Sequence, residues 1–131
     1  MLSLNWTEGR INAFITSALR AGMRRWPAKW EALEAACIGS LTNPKTGRKA
    51  KHYKCAMCGN IFVAKDVEVD HVTPIVDPKT GFTTWDDFIT RLYCDVGGLQ
   101  VLCKPDHKRK TKDENSVRTR SRAKSTRKGK S

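Results

Sequence analysis

The thiols of Cys55-Ala56-Met57-Cys58 and of Cys103 constrain the fold of this chain more than any other feature of it. A Cys-X-X-Cys knuckle with a return ligand from a distant turn is the spacing of a structural zinc site, and it obliges the chain after Cys58 to leave and come back. Such a staple suits a chain of 131 residues, one domain's worth with a small core. Five cysteines is an odd number, and in a reducing compartment the knuckle reads as a metal site or redox motif before a disulfide framework. A thioredoxin-like role does not fit, because the motif does not open a helix after a buried strand. Spacing leaves the fourth ligand open. A second Cys-X-X-Cys would place it at Asp106, a harder donor than thiolate; His107 and Cys94 compete for the place, and a chain holding no stable zinc is the remaining outcome.

The formal charge of +12 and the pI near 9.8 predict a polyanionic partner, and nucleic acid fits where Trp, Tyr and Arg are interleaved with Lys. Residues 104–131 hold twelve Lys/Arg against three Asp/Glu, so most of the long-range attraction belongs there. Lys104, Lys108, Arg109, Lys110, Arg118, Arg120 and Arg122 are the candidate DNA contacts. A membrane partner is not expected. The basic tail has no apolar face, no stretch approaches the roughly 18 apolar residues of a span, and residues 1–10 lack the apolar region of a secretory signal. The expectation is a cytoplasmic protein with reduced thiols.

Along the chain, Ile11, Phe14, Ile15, Ala18, Leu19 and Met23 recur at helical spacing over residues 7–26, with Thr7 as cap. A second helix is expected over 28–37, ended by Gly39, and the two read as an arm that covers the core or contacts DNA. Asn43-Pro44-Lys45-Thr46-Gly47-Arg48 has turn chemistry, and the basic run to Lys54 reads as a solvated connector with His52 on its surface. Short strands should flank the knuckle, at Tyr53-Lys54-Cys55 and Ile61-Phe62-Val63. Val67, Val69 and His71 alternate with Glu68 and Asp70, which predicts a strand stopped by Pro74. A helix is expected over 85–93, a strand over 99–102, and a further helix from about Pro105. From Lys112 onward Ser, Thr, Lys and Arg dominate, which predicts disorder without a partner.

The residues suited to chemistry cluster at Asp70-His71 and Asp106-His107. Adjacent positions at a helix start lie about 100° apart, so Asp106 can face the knuckle while His107 faces elsewhere. Adjacent strand residues point to opposite faces, so Asp70 and His71 share a site only where the strand distorts, and the approach to Pro74 is such a place. Asp70 and His107 could then hold a divalent cation while His71 takes a proton from water, an arrangement suited to phosphodiester hydrolysis near pH 7.

At these residues the chain resembles the HNH endonucleases, particularly the small phage-encoded type. The resemblance rests on Cys55-X-X-Cys58, on Val69-Asp70-His71-Val72-Thr73-Pro74, and on Leu99-Gln100-Val101-Leu102-Cys103-X-X-Asp106-His107-X-X-Lys110-Thr111. It implies an α+β chain with a ββα-metal core over residues 51–112, braced by a zinc knuckle. An N-terminal helical arm and linker (1–50) would precede that core, and a disordered basic tail (113–131) would come after it. It also implies a DNA endonuclease with His71 as general base and Asp70 and His107 on a catalytic cation, Mg²⁺ or Mn²⁺ with Ni²⁺ or Zn²⁺ as other candidates. Cys55, Cys58 and Cys103 would hold a structural Zn²⁺. Two departures stand out: Asp106 replaces the family's usual last Cys, and Gly98 stands where the motif has Asn, so that either activity is reduced or Asp95 or Gln100 substitutes. The competing expectation is a non-catalytic zinc-ribbon nucleic-acid binder, or a partner of phage packaging machinery in the host cytoplasm.

Overall fold

The computed structural model describes residues 5–129, and among these the chain is mixed α+β with two small antiparallel sheets. Helix α1 spans Glu8–Ala21 and starts where expected: the Thr7 side chain accepts a hydrogen bond from the Arg10 N–H. It passes through a 3₁₀ turn, Gly22–Arg25, into α2, Pro27–Ala36, which has Pro at its first position. The first four residues of the expected arm lie outside the described ones. Beyond α2 the chain departs from expectation. Cys37–Thr42 is a strand, β1, rather than the end of a helix, and the supposed connector Lys49–Lys54 is a second strand, β2. The two pair through the Asn43 to Arg48 turn, with a bulge between Cys37 and Gly39, whose φ of 112° suits glycine. β2 then pairs with β3, Ile61–Val63, across the knuckle. His52 is accordingly not on the surface. It is buried at 7% exposure on β2, with ring Nδ1 donating to the Ala50 carbonyl oxygen at 2.8 Å.

The second sheet pairs β4, Val67–His71, with β5, Leu99–Cys103, in a register that sets His71 against Leu99 and Val67 against Cys103. Between them lies α3, Trp85–Leu92, capped by Thr84 and burying Phe88 and Leu92. α4, Lys104–Gly129, continues from β5 with no intervening loop. The disorder expected from Lys112 onward is therefore corrected to a continuous helix through Gly129; residues 130 and 131 of the expected tail lie outside the described ones. No Gly or Pro interrupts the stretch from 106 to 128, and Lys and Arg are good helix formers. Ser116 and Thr119 hydroxyls bond back to the carbonyls of Lys112 and Asn115, so they do not compete with the helix.

Two clusters form the core around β5. Leu99 packs with Ala28 and Ala32 of α2, and Leu102 with Cys55 and Cys103 beside Phe62. The arm is locked to the core by an aromatic clasp. Trp26 lies 5.2 Å from the Tyr93 ring and donates its indole N–H to the Cys94 carbonyl at 2.7 Å, and Tyr93 donates its hydroxyl to the Leu19 carbonyl. Gly22 makes room for this, since a Cβ there would lie 2.3 Å from the Tyr93 oxygen.

Candidate metal cluster and adjoining cleft

The knuckle is shaped by its backbone. The Cys55 N–H donates to the Asn60 carbonyl at 2.9 Å and the Gly59 N–H to the Cys55 carbonyl at 3.0 Å, with Gly59 at a φ of 73° that a side chain would disfavour. The Ala56 N–H reaches the Val101 carbonyl at 2.9 Å, so β5 carries the knuckle as well as Cys103. The donor atoms of Cys55, Cys58, Cys103 and Asp106 all lie within 4.8 Å of one another, and the group could hold a metal ion. Cys55 donates its thiol to Asp106 Oδ2 at 3.2 Å, the Cys58 and Cys103 sulfurs are 4.0 Å apart, and Arg109 braces the other Asp106 oxygen at 3.1 Å.

Charge is finely balanced there. Burial, aided by the Asp106 carboxylate and the neighbouring thiols, pushes the Cys103 thiol up to about 12 against the pull of the Asp106 N–H. Burial also raises Cys55, but the backbone groups of Cys103, Cys58 and Met57 together outweigh it and hold this thiol below the usual value. At Cys58 the Asn60 backbone pulls down, while burial with Cys55 and Asp106 pushes harder and raises it. The thiols of Cys55, Cys103 and Cys58, with Arg109, hold Asp106 below the ordinary carboxylate range. Cys94, the competing ligand, stands apart: it packs against the Leu99 cluster, where burial raises its thiol.

His107 turns away from this cluster, on the other side of the first turn of α4. Its Nδ1 is 2.8 Å from Glu68 Oε2 and its Nε2 is 3.5 Å from Asp70 Oδ1. A carboxylate can only accept, so the short contact assigns the ring hydrogen to Nδ1 and leaves Nε2 of the neutral ring facing Asp70, lone pair to lone pair. That gap suits a proton or a cation. Asp70 is held from its other oxygen by Lys110 at 3.0 Å and by the Gln100 amide at 3.2 Å. Lys110 also donates to the His71 carbonyl at 3.0 Å and pairs with Glu114. Burial disfavours the ammonium, but Glu114 and Asp70 outweigh it and raise the Lys110 pKa.

His71, the last residue of β4, donates from Nε2 to the Leu92 carbonyl oxygen at 2.7 Å, which leaves Nδ1 of the neutral ring as a bare acceptor. Despite their opposite strand parity, Asp70 and His71 line one cleft of about 450 Å³ together with His107 and Lys110. Gln100, considered as a stand-in for the missing Asn, reaches Asp70 rather than His71. Gly98 has a packing reason: a Cβ there would lie 2.9 Å from the Cys94 sulfur, and its carbonyl accepts the Val72 N–H at 2.9 Å.

Of the expected DNA contacts, Lys104, Lys108, Arg109 and Arg120 line an open groove of about 1410 Å³ along α4. Arg118 lies on the cleft side, and Arg122 is further along the helix. Lys110 differs from expectation, because its ammonium is engaged inside the protein by Asp70 and Glu114. Glu68 was missed by sequence reasoning, although alternation puts it on the same strand face as Asp70. Comparison with known protein families, with curated proteins and with solved structures finds no match for the chain.

Proposed function

We propose that this chain is a metal-dependent DNA endonuclease of the HNH type, hydrolysing phosphodiester bonds in the cleft of Asp70, His71 and His107. The observation that carries the reading is the pair of imidazoles with opposite assignments. His71 is anchored through Nε2 by the Leu92 carbonyl and offers Nδ1 as an acceptor, while His107 is anchored through Nδ1 by Glu68 and offers Nε2 beside Asp70. One ring is thus set to take a proton and the other to donate a lone pair, each fixed by a second partner.

In this reading His71 Nδ1 accepts the proton of an attacking water, while Asp70 and His107 hold a divalent cation such as Mg²⁺ or Mn²⁺. His107 Nε2 and Asp70 Oδ1, 3.5 Å apart, would need to approach by about 0.5 Å to serve as adjacent ligands of an octahedral cation. The cation would supply charge neutralisation at the phosphate and the leaving oxygen. Lys110 and Gln100 keep Asp70 oriented, and the bond from Lys110 to the His71 carbonyl ties the strand end to α4.

The cysteine cluster is read as a structural zinc site with Asp106 as fourth ligand. Sulfurs on a tetrahedral zinc lie about 3.8 Å apart, close to the 4.0 Å between Cys58 and Cys103. The basic groove along α4 supports DNA as the polymer. The test is nicking of supercoiled plasmid with Mg²⁺ or Mn²⁺, against EDTA and against His71→Ala. Cleavage that needs the ion and is lost in the variant supports the reading; a variant that nicks as fast as the parent defeats it. A non-catalytic zinc-ribbon binder is the second reading, favoured by Gly98 in place of the motif Asn, and it predicts binding without nicking.

A further inference from the structure

The cleft is walled by more than the strand end and α4. Arg20 from α1, Lys29 from α2 and Arg118 from the middle of α4 line it together with Asp70, His71 and His107. These cations come from opposite ends of the sequence. Among the described residues, none of the three makes an ion pair with a carboxylate. The acids lining the cleft are already engaged: Asp70 and Glu114 are both bonded to Lys110. Four cations against two carboxylates leave this concave site with a net positive charge, a costly arrangement unless an anion is meant to join them.

Each of the three is steadied by a neighbour. The Arg20 guanidinium lies 5.9 Å from the Phe88 ring centroid, the Lys29 ammonium 5.6 Å from that of Trp30, and Arg118 donates to the Asn115 side chain at 2.9 Å. A guanidinium steadied on one side presents its remaining N–H groups as a fork that matches two phosphate oxygens.

We propose that Arg20, Lys29 and Arg118 form a phosphodiester-binding subsite that seats the backbone of the nucleic-acid strand against His71. The subsite rests on the nuclease reading for its purpose but not for its chemistry. It gives the N-terminal arm a role in substrate binding, and the Trp26–Tyr93 clasp sets the arm's position relative to the cleft.

The test compares the triple variant Arg20→Gln/Lys29→Gln/Arg118→Gln with Lys45→Gln/Lys49→Gln/Lys51→Gln, an equal charge change on the exposed β1–β2 hairpin. A labelled 20-base-pair DNA duplex, with no divalent cation added, is titrated by fluorescence anisotropy at several salt concentrations; plasmid nicking and melting are followed on the same preparations. The cleft variant should melt like the parent and bind roughly 10- to 100-fold more weakly. Its salt dependence should be flatter by about 0.9 log units for each phosphate no longer neutralised, with nicking reduced at least in proportion. Arg118→Lys, which keeps the charge, should bind more tightly than Arg118→Gln. Equal losses in the two triple variants would overturn the subsite. If the parent nicks no plasmid yet the cleft variant alone loses binding, the subsite stands and the nuclease reading falls. If the parent nicks and both triple variants bind alike, the nuclease reading stands without the subsite.

Discussion

Zinc affinity in the cysteine cluster should depend steeply on pH, and the slope is set by the protonation of each ligand before the ion arrives. Cys58 and Cys103 are both raised above the ordinary thiol value, Cys103 to about 12, so both carry protons at pH 7. Asp106 is held below the carboxylate range and carries none, while Cys55 is held below the usual thiol value. Binding must therefore expel two protons, and a third to the extent that Cys55 keeps its own. Affinity rises with pH, by about 100- to 1,000-fold per unit between pH 6 and 8. Asp106→Cys replaces a ligand that releases nothing with one that must lose a proton, so the slope should steepen by up to one more log unit. The softer donor set should also tighten zinc at pH 8. Competition against a chromophoric chelator across this range reads both quantities, and proton release in weakly buffered solution checks the stoichiometry. A slope of one or less in the parent, or an unchanged slope in Asp106→Cys, would refute the ligand assignment.

His71→Ala should keep cation and DNA binding yet lose nicking by roughly 10²- to 10⁴-fold, whereas His107→Ala or Asp70→Ala should bind the cation weakly and be partly rescued by high Mn²⁺. Single-turnover cleavage over a Mn²⁺ series separates the two, and equal rescue of all three variants would count against the roles given. Gly98→Ala drives a methyl against the Cys94 sulfur, 2.9 Å away, and should cost about 1–3 kcal/mol in urea melts; if Cys94→Ala does not recover that loss, crowding is not its cause. Ending the chain after Arg118 removes six Lys/Arg and no acid while sparing Glu114, so DNA affinity should fall and its salt dependence flatten, with melting little changed. Unaltered salt dependence would show that this end of α4 takes no part in binding.

The parts legible in the sequence were those where period and punctuation agree. Alternation in Val67-Glu68-Val69-Asp70-His71, the Cys-X-X-Cys spacing and the Trp85, Phe88, Leu92 stripe each named an element that is present. In the first sheet the strands beside the knuckle were legible, but the start of β2 was hidden because its outward face is lysine. Lys49 and Lys51 alternate with Ala50 and His52, and a strand whose exposed face is charged reads as a solvated run until a buried histidine reveals its inner face. β1 was hidden by Cys37, which continues the helical spacing of Trp30 and Leu33 by one step although the helix stops at Ala36. Composition misled at α4, where the residues typical of disordered tails are also competent helix formers. The split of Asp106 and His107 between two sites was readable from helix geometry. The approach of Arg20 and Lys29 to the cleft was not, since it depends on tertiary contacts such as those of Trp26 and Tyr93.

Because α4 starts directly after Cys103, the cysteine cluster and the cleft hang on a single helical turn: Asp106 points to one and His107, the next residue, to the other. Two ions bound on either side of that turn would obey thermodynamic reciprocity. Whatever factor the first contributes to the second by fixing the turn, the second must return in equal measure to the first. An ion that touches no substrate would then set, through one peptide unit, how much of the other the cell must supply.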